Sequence, residues 1–219
     1  LTPWPNAWWN LNVQLSYWSV YPSNRLELGM PLVDAIGNNL DNLINNVPEP
    51  YRKDAAALPV ATDFTLTGAT VNVPGTEKKA QVGNLTWICH NLWLQYRFSM
   101  DESILRNTLY PTLRRAVNFY LPFLTEDKSG KLHLKRTYSP EYGTAEDCNY
   151  DIALLRWGCN TLLEASRILS VDDELIPRWK QVAEYLTDYP QDENGMMIGK
   201  DVPFSRSHRH YSHLLMFYP

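Results

Sequence analysis

Apolar residues recur at helical spacing through most of this chain, and two long stretches break the rhythm. Over residues 7–20 (AWWNLNVQLSYWSV) they fall at positions 8, 11, 15 and 18, the mark of an amphipathic helix. Tyr21-Pro22-Ser23-Asn24 interrupts it, with Ser23 or Asn24 as candidate N-cap. A second helix is predicted over 25–46, apolar at 28, 32, 36, 40 and 43, and ended by Asn45-Asn46-Val47-Pro48. Residues 48–82 lose the period and carry Pro, Gly and Thr. They read as a long loop excursion with one or two short strands (57–61, 69–73), and so long a loop inside a helical domain is usually functional or a lid.

Helical spacing resumes over 83–98 (GNLTWICHNLWLQYRF) and again over 101–124, where Ile104, Leu105, Leu109, Leu113, Val117 and Leu121 share a face. Pro111 is expected to kink or divide that second helix, because it lacks an N–H and its ring crowds the preceding turn. Glu126-Asp127-Lys128-Ser129-Gly130 is a polar turn, and 131–136 alternates charged with apolar residues as an extended segment does. Further helices are predicted over 147–169 and over 172–188, the latter entered at Ser170 with Asp172 or Asp173. Residues 189–204 are loop-like, and 214–219 read as the start of another apolar helix. The pattern is about six helices joined alternately by short turns and long loops, with strands minor.

Candidate chemistry gathers at three places. In Thr137-Tyr138-Ser139-Pro140-Glu141-Tyr142-Gly143, the proline biases Ser139 away from helix. Glu141 therefore sits on a loop ahead of an apolar helix, a common way to present a general acid and equally the place of a solvated loop carboxylate. Asn10, Asn12 and Gln14 alternate. On a helix, residues two apart point about 200° from one another, whereas on an extended segment all three amides would share one face suited to hydroxyls. Ser207-His208-Arg209-His210-Tyr211-Ser212-His213 places three imidazoles and a guanidinium together. No carboxylate stands between the histidines, so a metal is not expected, and the segment reads as hydrogen-bond donors at a helix entrance. His90, amid Trp87, Cys89 and Trp93, reads from its position as a core or rim histidine.

Composition narrows the partners. The 219 residues carry a net charge of −4, which argues against nucleic acid or an anionic membrane. No apolar run approaches the roughly 20 residues that span a bilayer. The first residues, Leu1-Thr2-Pro3-Trp4, include no methionine and no signal peptide, as expected of a piece cut from something longer. Cys89, Cys148 and Cys159 have no metal-ligand spacing and read as small buried hydrophobes. Asn84-Leu85-Thr86 matches the glycosylation tripeptide, a pattern common by chance. Eight Trp and thirteen Tyr beside six Phe favour rings with a polar handle, which suit sugar faces and hydroxyls as well as helix packing.

Four motifs in order carry a resemblance. Asn10-Leu-Asn12-Val-Gln-Leu-Ser-Tyr17-Trp18, Trp87-Ile-Cys-His90-Asn-Leu-Trp93-Leu-Gln-Tyr96, Ser139-Pro140-Glu141, and His208-Arg209-His210-Tyr-Ser212-His213-Leu214 together resemble the inverting α-1,2-L-fucosidases of glycoside hydrolase family 95. The resemblance covers nearly the whole chain. It implies an all-α, (α/α)6 toroid of about a dozen helices, of which residues 1–219 would be one incomplete domain, completed by helices and flanking domains of the full-length protein. It implies that Glu141 is the general acid and that Asn10 and Asn12 hold the attacking water. A carboxylate late in the domain would assist that water, and Asp201 is the candidate nearest upstream of the His cluster. Trp18, His90, Trp93, His208, Arg209, His210 and His213 would bind substrate. Ser207 stands where relatives often have an acid, and Ser16 where they usually have Asn.

The reading is thus an inverting exo-glycosidase that needs no cofactor or metal and removes terminal α-L-fucosyl or related α-L-galactosyl units from an oligosaccharide or polysaccharide. A secreted or periplasmic location is expected. The rival readings are a disaccharide phosphorylase of the same fold, with Arg206, Arg209 and the histidines as its only phosphate donors, and a carbohydrate-binding relative without activity. Glu141, Asn10, Asn12 and His210 are expected to line one pocket.

Overall fold

The computed structural model describes residues 6–217; the chain start and the last two residues of the apolar run 214–219 lie outside the described residues. The chain divides into two compact units, Leu1–Val71 with Asn84–Phe119, and Asn72–Gly83 with Tyr120–Pro219.

In the first unit β1 (Ala7–Trp8) leads into α1 (Asn12–Trp18), followed by α2 (Met30–Asn38) and α3 (Leu40–Asn45). β2 (Ala61–Thr62) pairs antiparallel with β1. Then come α4 (Asn84–Ser99), α5 (Glu102–Ile104) and α6 (Tyr110–Asn118). α4 is buried on almost every side, from Leu85 and Ile88 to Leu92 and Tyr96, so it is the centre of this unit rather than a surface helix. Its polar groups tie neighbours to it: Asn91 donates to the Gln14 carbonyl at 3.2 Å and Gln95 to the Leu26 carbonyl at 2.9 Å.

Three departures from the periodicity have local causes. Leu11 turns at φ 82° and α1 begins at Asn12. The segment is therefore not extended: Gln14 points inward, donating to the Trp9 carbonyl at 2.7 Å, while Asn12 is exposed. A single wall of amides does not form. The helix expected over 25–46 is divided at Asn39, whose side chain donates back to the Ala35 carbonyl at 2.8 Å. Gly37-Asn38-Asn39 is a run of weak helix formers, and asparagine competes with the backbone for its own hydrogen bonds. Ahead of Pro111 the helix widens into a π-turn over Leu105–Leu109. The proline would otherwise meet the Asn107 carbonyl and leave it unpaired, and the wider turn absorbs that conflict. Asp101 caps the start of α5, accepting from the Ser103 N–H at 2.9 Å.

Of the one or two strands expected over 48–82 one forms, β2, after a 3-10 turn at Glu49–Tyr51, and 69–73 is not a strand; much of the backbone there pairs with a side chain instead. Asn46, 2% exposed, is its peg. Its amide nitrogen donates to the Ala57 and Leu66 carbonyls at 3.3 and 2.8 Å, and its oxygen accepts from Gly68 N–H at 3.1 Å. The Asn46 carbonyl accepts from Val71 N–H at 2.9 Å. Asn46→Leu strands buried backbone groups at about 1–3 kcal/mol each. We expect it to lower unfolding free energy by roughly 3 kcal/mol in a denaturant titration, where a surface Asn45→Leu costs little.

The second unit carries most of the β-structure. β3 (Leu124–Glu126) and β4 (Leu132–Leu134) form a hairpin, as do β5 (Thr137–Ser139) and β6 (Gly143–Ala145). α7 (Asn149–Leu169) is its spine and α8 (Ile176–Tyr185) packs on it with Trp179 and Val182 fully buried. α8 starts later than the periodicity suggests, because Asp173 accepts from Leu175 N–H at 3.0 Å and Pro177 takes an early helical position. The loop over 189–204 holds a short hairpin, β7 (Gln191–Asp192) with β8 (Gly195–Met196), and Ser212–Phe217 is a 3-10 turn. Cys89, Cys148 and Cys159 are free and buried, and burial pushes the Cys159 thiol up to about 12. Among the described residues no helix is long and apolar enough to cross a membrane.

His133 on β4 bridges two carboxylates, with Nδ1 2.7 Å from Asp147 and Nε2 3.3 Å from Asp127. Partial burial disfavours its charge, but Asp147 and then Asp127 outweigh that and raise its pKa. A raised value stabilises the fold fully below the unfolded histidine pKa of about 6.5 and loses that contribution as pH rises through the folded value. Wild-type stability should therefore decline as pH rises from about 6.5, and His133→Gln should flatten that slope in denaturation curves taken across the range.

Candidate active site

The β5–β6 hairpin carries Glu141 at its tip. Ser139 pairs with Gly143, and the Tyr142 N–H reaches back to the Ser139 carbonyl at 3.2 Å. Glu141 sits in the left-handed region at φ 59°, a conformation that costs a non-glycine residue free energy and persists where neighbours enforce it. Its neighbours do so: Ser139, Pro140 and Tyr142 are buried, and the Tyr138 N–H donates to the Ala80 carbonyl at 2.9 Å.

Tyr142 then fastens the His-Arg-His segment to the hairpin. Its hydroxyl accepts from Ser205 N–H at 3.0 Å and donates to the Pro203 carbonyl at 3.4 Å. Its ring stacks on Phe204 at 5.3 Å and meets His208 edge-on at 5.4 Å. The Arg206 guanidinium lies 4.5 Å over the same ring and donates to the Tyr142 carbonyl. With Cys148 and Ile198, Tyr142 forms an apolar cluster against which Val202 and Phe204 pack.

So held, Arg209 and His210 both reach Glu141. Arg209 Nε lies 2.9 Å from Glu141 Oε2, its terminal NH2 donates to the same oxygen, and His210 Nε2 is 2.9 Å away. All these contacts fall on Oε2, which leaves Oε1 as the oxygen open to a proton or a substrate. Burial alone would raise the Glu141 pKa, but Arg209 and then His210 overcome it and hold the carboxyl below its ordinary range. At rest the group favours its ionised form.

The other candidates fall as follows. His208 stacks edge-on to His210 at 5.5 Å, and its Nε2 is buried without a hydrogen bond. His213 lies on Phe204 at 4.2 Å, and Asn149 of α7 donates to its carbonyl at 3.0 Å. Asp201, exposed at φ 59° in the turn between Gly199 and Val202, borders a surface cavity of about 320 Å³ with Arg136, Glu146 and Lys200. In the first unit Asn10 is buried in the turn before α1, Asn12 is exposed at its start and Trp18 is half-buried at its end. On α4, Trp93 is buried, with the Arg97 guanidinium 5.3 Å over its ring. His90 is half-buried, and burial lowers its pKa to about 4, which keeps its imidazole neutral. No group of three or more His, Cys, Asp or Glu suited to a metal occurs among the described residues.

Sequence reasoning gave no role to Tyr142 or Phe204. The signal available was an aromatic directly after Glu141 and another four residues before His208, with Arg206 between.

One solved structure, described as "Putative kojibiose phosphorylase from human microbiome", superposes with a TM-score of 0.61 over 86% of this chain and 29% of its own, at 12% identity. That likeness shows the fold, a part of an (α/α)6 barrel of the six-hairpin glycosidase type. The chain belongs to the glycosyl hydrolase family 95 catalytic domain, which matches residues 1–219. Alpha-L-fucosidase 2 of Arabidopsis thaliana is 25% identical over 232 residues, covering 99% of this chain. A protein of Aspergillus niger described as "Probable alpha-fucosidase A" is 25% identical over 137 residues, 61% of this chain. The chain spans 27% of the length of the plant relative and 17% of the fungal one.

Because Arg209 and His210 hold Glu141 ionised, removing the guanidinium should raise the carboxyl pKa. In Arg209→Gln we expect the Glu141 side-chain carboxyl to titrate at higher pH than in the wild type. A ¹³C NMR titration with labelled glutamate, assigned by Glu141→Gln, would show it. An unmoved titration would mean that the ion pair does not form in solution.

Proposed function

We propose that this chain is the acid-bearing part of an inverting exo-glycosidase that removes terminal α-L-fucosyl, or related α-L-galactosyl, residues from glycans. The observation that carries it is Glu141: a carboxyl fixed on a strained hairpin tip, one oxygen held by the Arg209 guanidinium and the His210 imidazole and the other open, in a chain of family 95. In this reading substrate hydroxyls draw Arg209 and His210 off Oε2, and the carboxyl regains its proton. Glu141 then protonates the leaving oxygen from one face while Asn10 and Asn12 hold a water on the other. An amide is a poor base, so a carboxylate takes the water's proton, and Asp201 is the candidate. Inversion needs a gap of roughly 6.5–9.5 Å between acid and base to admit that water. Trp18, His90, Trp93, His208 and His213 would complete the sugar's surroundings.

The phosphorylase likeness keeps a second reading in view, since phosphate would replace water as the nucleophile. Against it, the Arg206 guanidinium is held on the Tyr142 ring and carbonyl, and Arg209 is needed at Glu141. Turnover of an aryl α-L-fucoside by the full-length protein should accordingly not depend on phosphate.

Glu141→Gln keeps the shape and removes the proton. Turnover of a fucoside with a poor leaving group should fall by roughly 10²–10⁴, the usual worth of acid–base assistance, and far less with a leaving group that needs no proton. Asn12→Gly should impair both substrates alike. Equal losses on both substrates for Glu141→Gln would make Glu141 a binding residue, and no turnover of any such glycoside would favour a carbohydrate-binding role.

A further inference from the structure

Beneath the hairpin lies a carboxyl that the chemistry above does not use. Asp151, in the first turn of α7, is fully buried. It receives one hydrogen bond, from the Tyr120 hydroxyl at 2.8 Å to Oδ1. Its other oxygen, Oδ2, has no hydrogen bond, and neither do the buried hydroxyls of Thr137 and Ser139 on β5. These are the two inward-facing residues of the strand that leads to Glu141, and both are 0% exposed. Cys148, at the N-terminal edge of α7, lies against the same two hydroxyls.

Resting on the reading of Glu141 as general acid, we propose that Asp151 is its positioning residue: it couples the floor of β5 to α7, and its own proton sets how firmly the hairpin is held. When neutral, Asp151 has a donor on Oδ2 and the Thr137 hydroxyl oxygen is the acceptor within its reach, so two open valences close at once. When ionised, it is a buried charge with only the Thr137 and Tyr120 hydroxyls to support it, and β5 must shift or admit water to solvate it. Every ionisable group set against it is neutral or an acid: Tyr120 from the end of the α6 segment, and Cys148 and Tyr150 beside it on α7. No ionisable side chain of α8 or of the Ser212–Phe217 turn acts on it, and from β5 it meets only the Thr137 hydroxyl. Burial is the largest influence and raises the Asp151 pKa to about 7, with Thr137 and then Tyr120 opposing. The change of state thus falls near neutrality.

The test uses the full-length protein and an α-L-fucoside with a poor leaving group, whose turnover depends on Glu141; comparison with Asp151→Asn separates the Asp151 step from Glu141's own titration. Wild-type kcat should fall by about ten-fold or more as pH rises through about 7, since misplacing a site by 1 Å can cost up to 10². Asp151→Asn, which keeps the size and a donor on that side, should stay active and lose the step. Tyr120→Phe removes a bond that favours the charge and should move the step to higher pH. Infrared spectra should show a carboxylic-acid band below pH 7 that is absent in Asp151→Asn. In ¹³C spectra the Glu141 carboxyl should show a second inflection that disappears in the same variant. An Asn variant with the wild-type profile, a folded Asn variant inactive at every pH, or a missing infrared band would each overturn the proposal. Should no fucoside be turned over at all, the general-acid reading fails alone, and the infrared and NMR measurements still decide the coupling.

Discussion

The second unit depends on the fastening of Tyr142. A carboxylate can serve as an acid only if it stays where the substrate will be, and a hairpin tip is the least restrained part of a sheet. Here the residue after Glu141 is buried, with both its backbone and its hydroxyl engaged, so the tip cannot swing without breaking several contacts together. The same ring gives the His-Arg-His segment its position, because Phe204 and His208 lie on it. Glu141 and the side chains that hold it are therefore placed by one residue.

Electrostatics and geometry pull Glu141 in different directions. Its fixed position and open oxygen suit proton donation, while Arg209 and His210 favour the carboxylate. An enzyme gains from this opposition when the cations are also substrate ligands. In the proposed reading the carboxyl takes up its proton only once the sugar has displaced Arg209 and His210. Arg209 is well exposed, so the ion pair is screened and reversible rather than a permanent lock.

Much of the architecture was legible because helical burial writes itself as a period. α4 and α7 fell within two residues of expectation, and Pro111 announced the disturbance that appears as a π-turn. What stayed hidden were contacts with no period. The excursion over 48–82 is organised by Asn46, a residue that reads locally as the end of a helix. The break at Asn39 reflects side-chain competition with the backbone, which an apolar count ignores. Glu141 with Arg209 and His210 emerged from motif order, sixty-eight and sixty-nine positions apart. Asp151 was passed over because it lies within an apolar helix, although a carboxylate next to Ile152, Ala153, Leu154 and Leu155 is itself a sign of a partnered, buried acid.

The three reduced cysteines give the molecule a built-in means of watching itself open. A thiol reacts only as thiolate and only when a reagent can touch it, and these three are sealed by burial with their ionisation suppressed. Labelling must therefore wait for the surrounding structure to part. Cys89 sits on the central helix of the first unit, whereas Cys148 and Cys159 belong to α7 and its N-terminal edge in the second. The rates at which they take up a label would time the breathing of the two halves separately, without any added probe. Cys148, directly against β5, would report the loosening of the hairpin that holds Glu141.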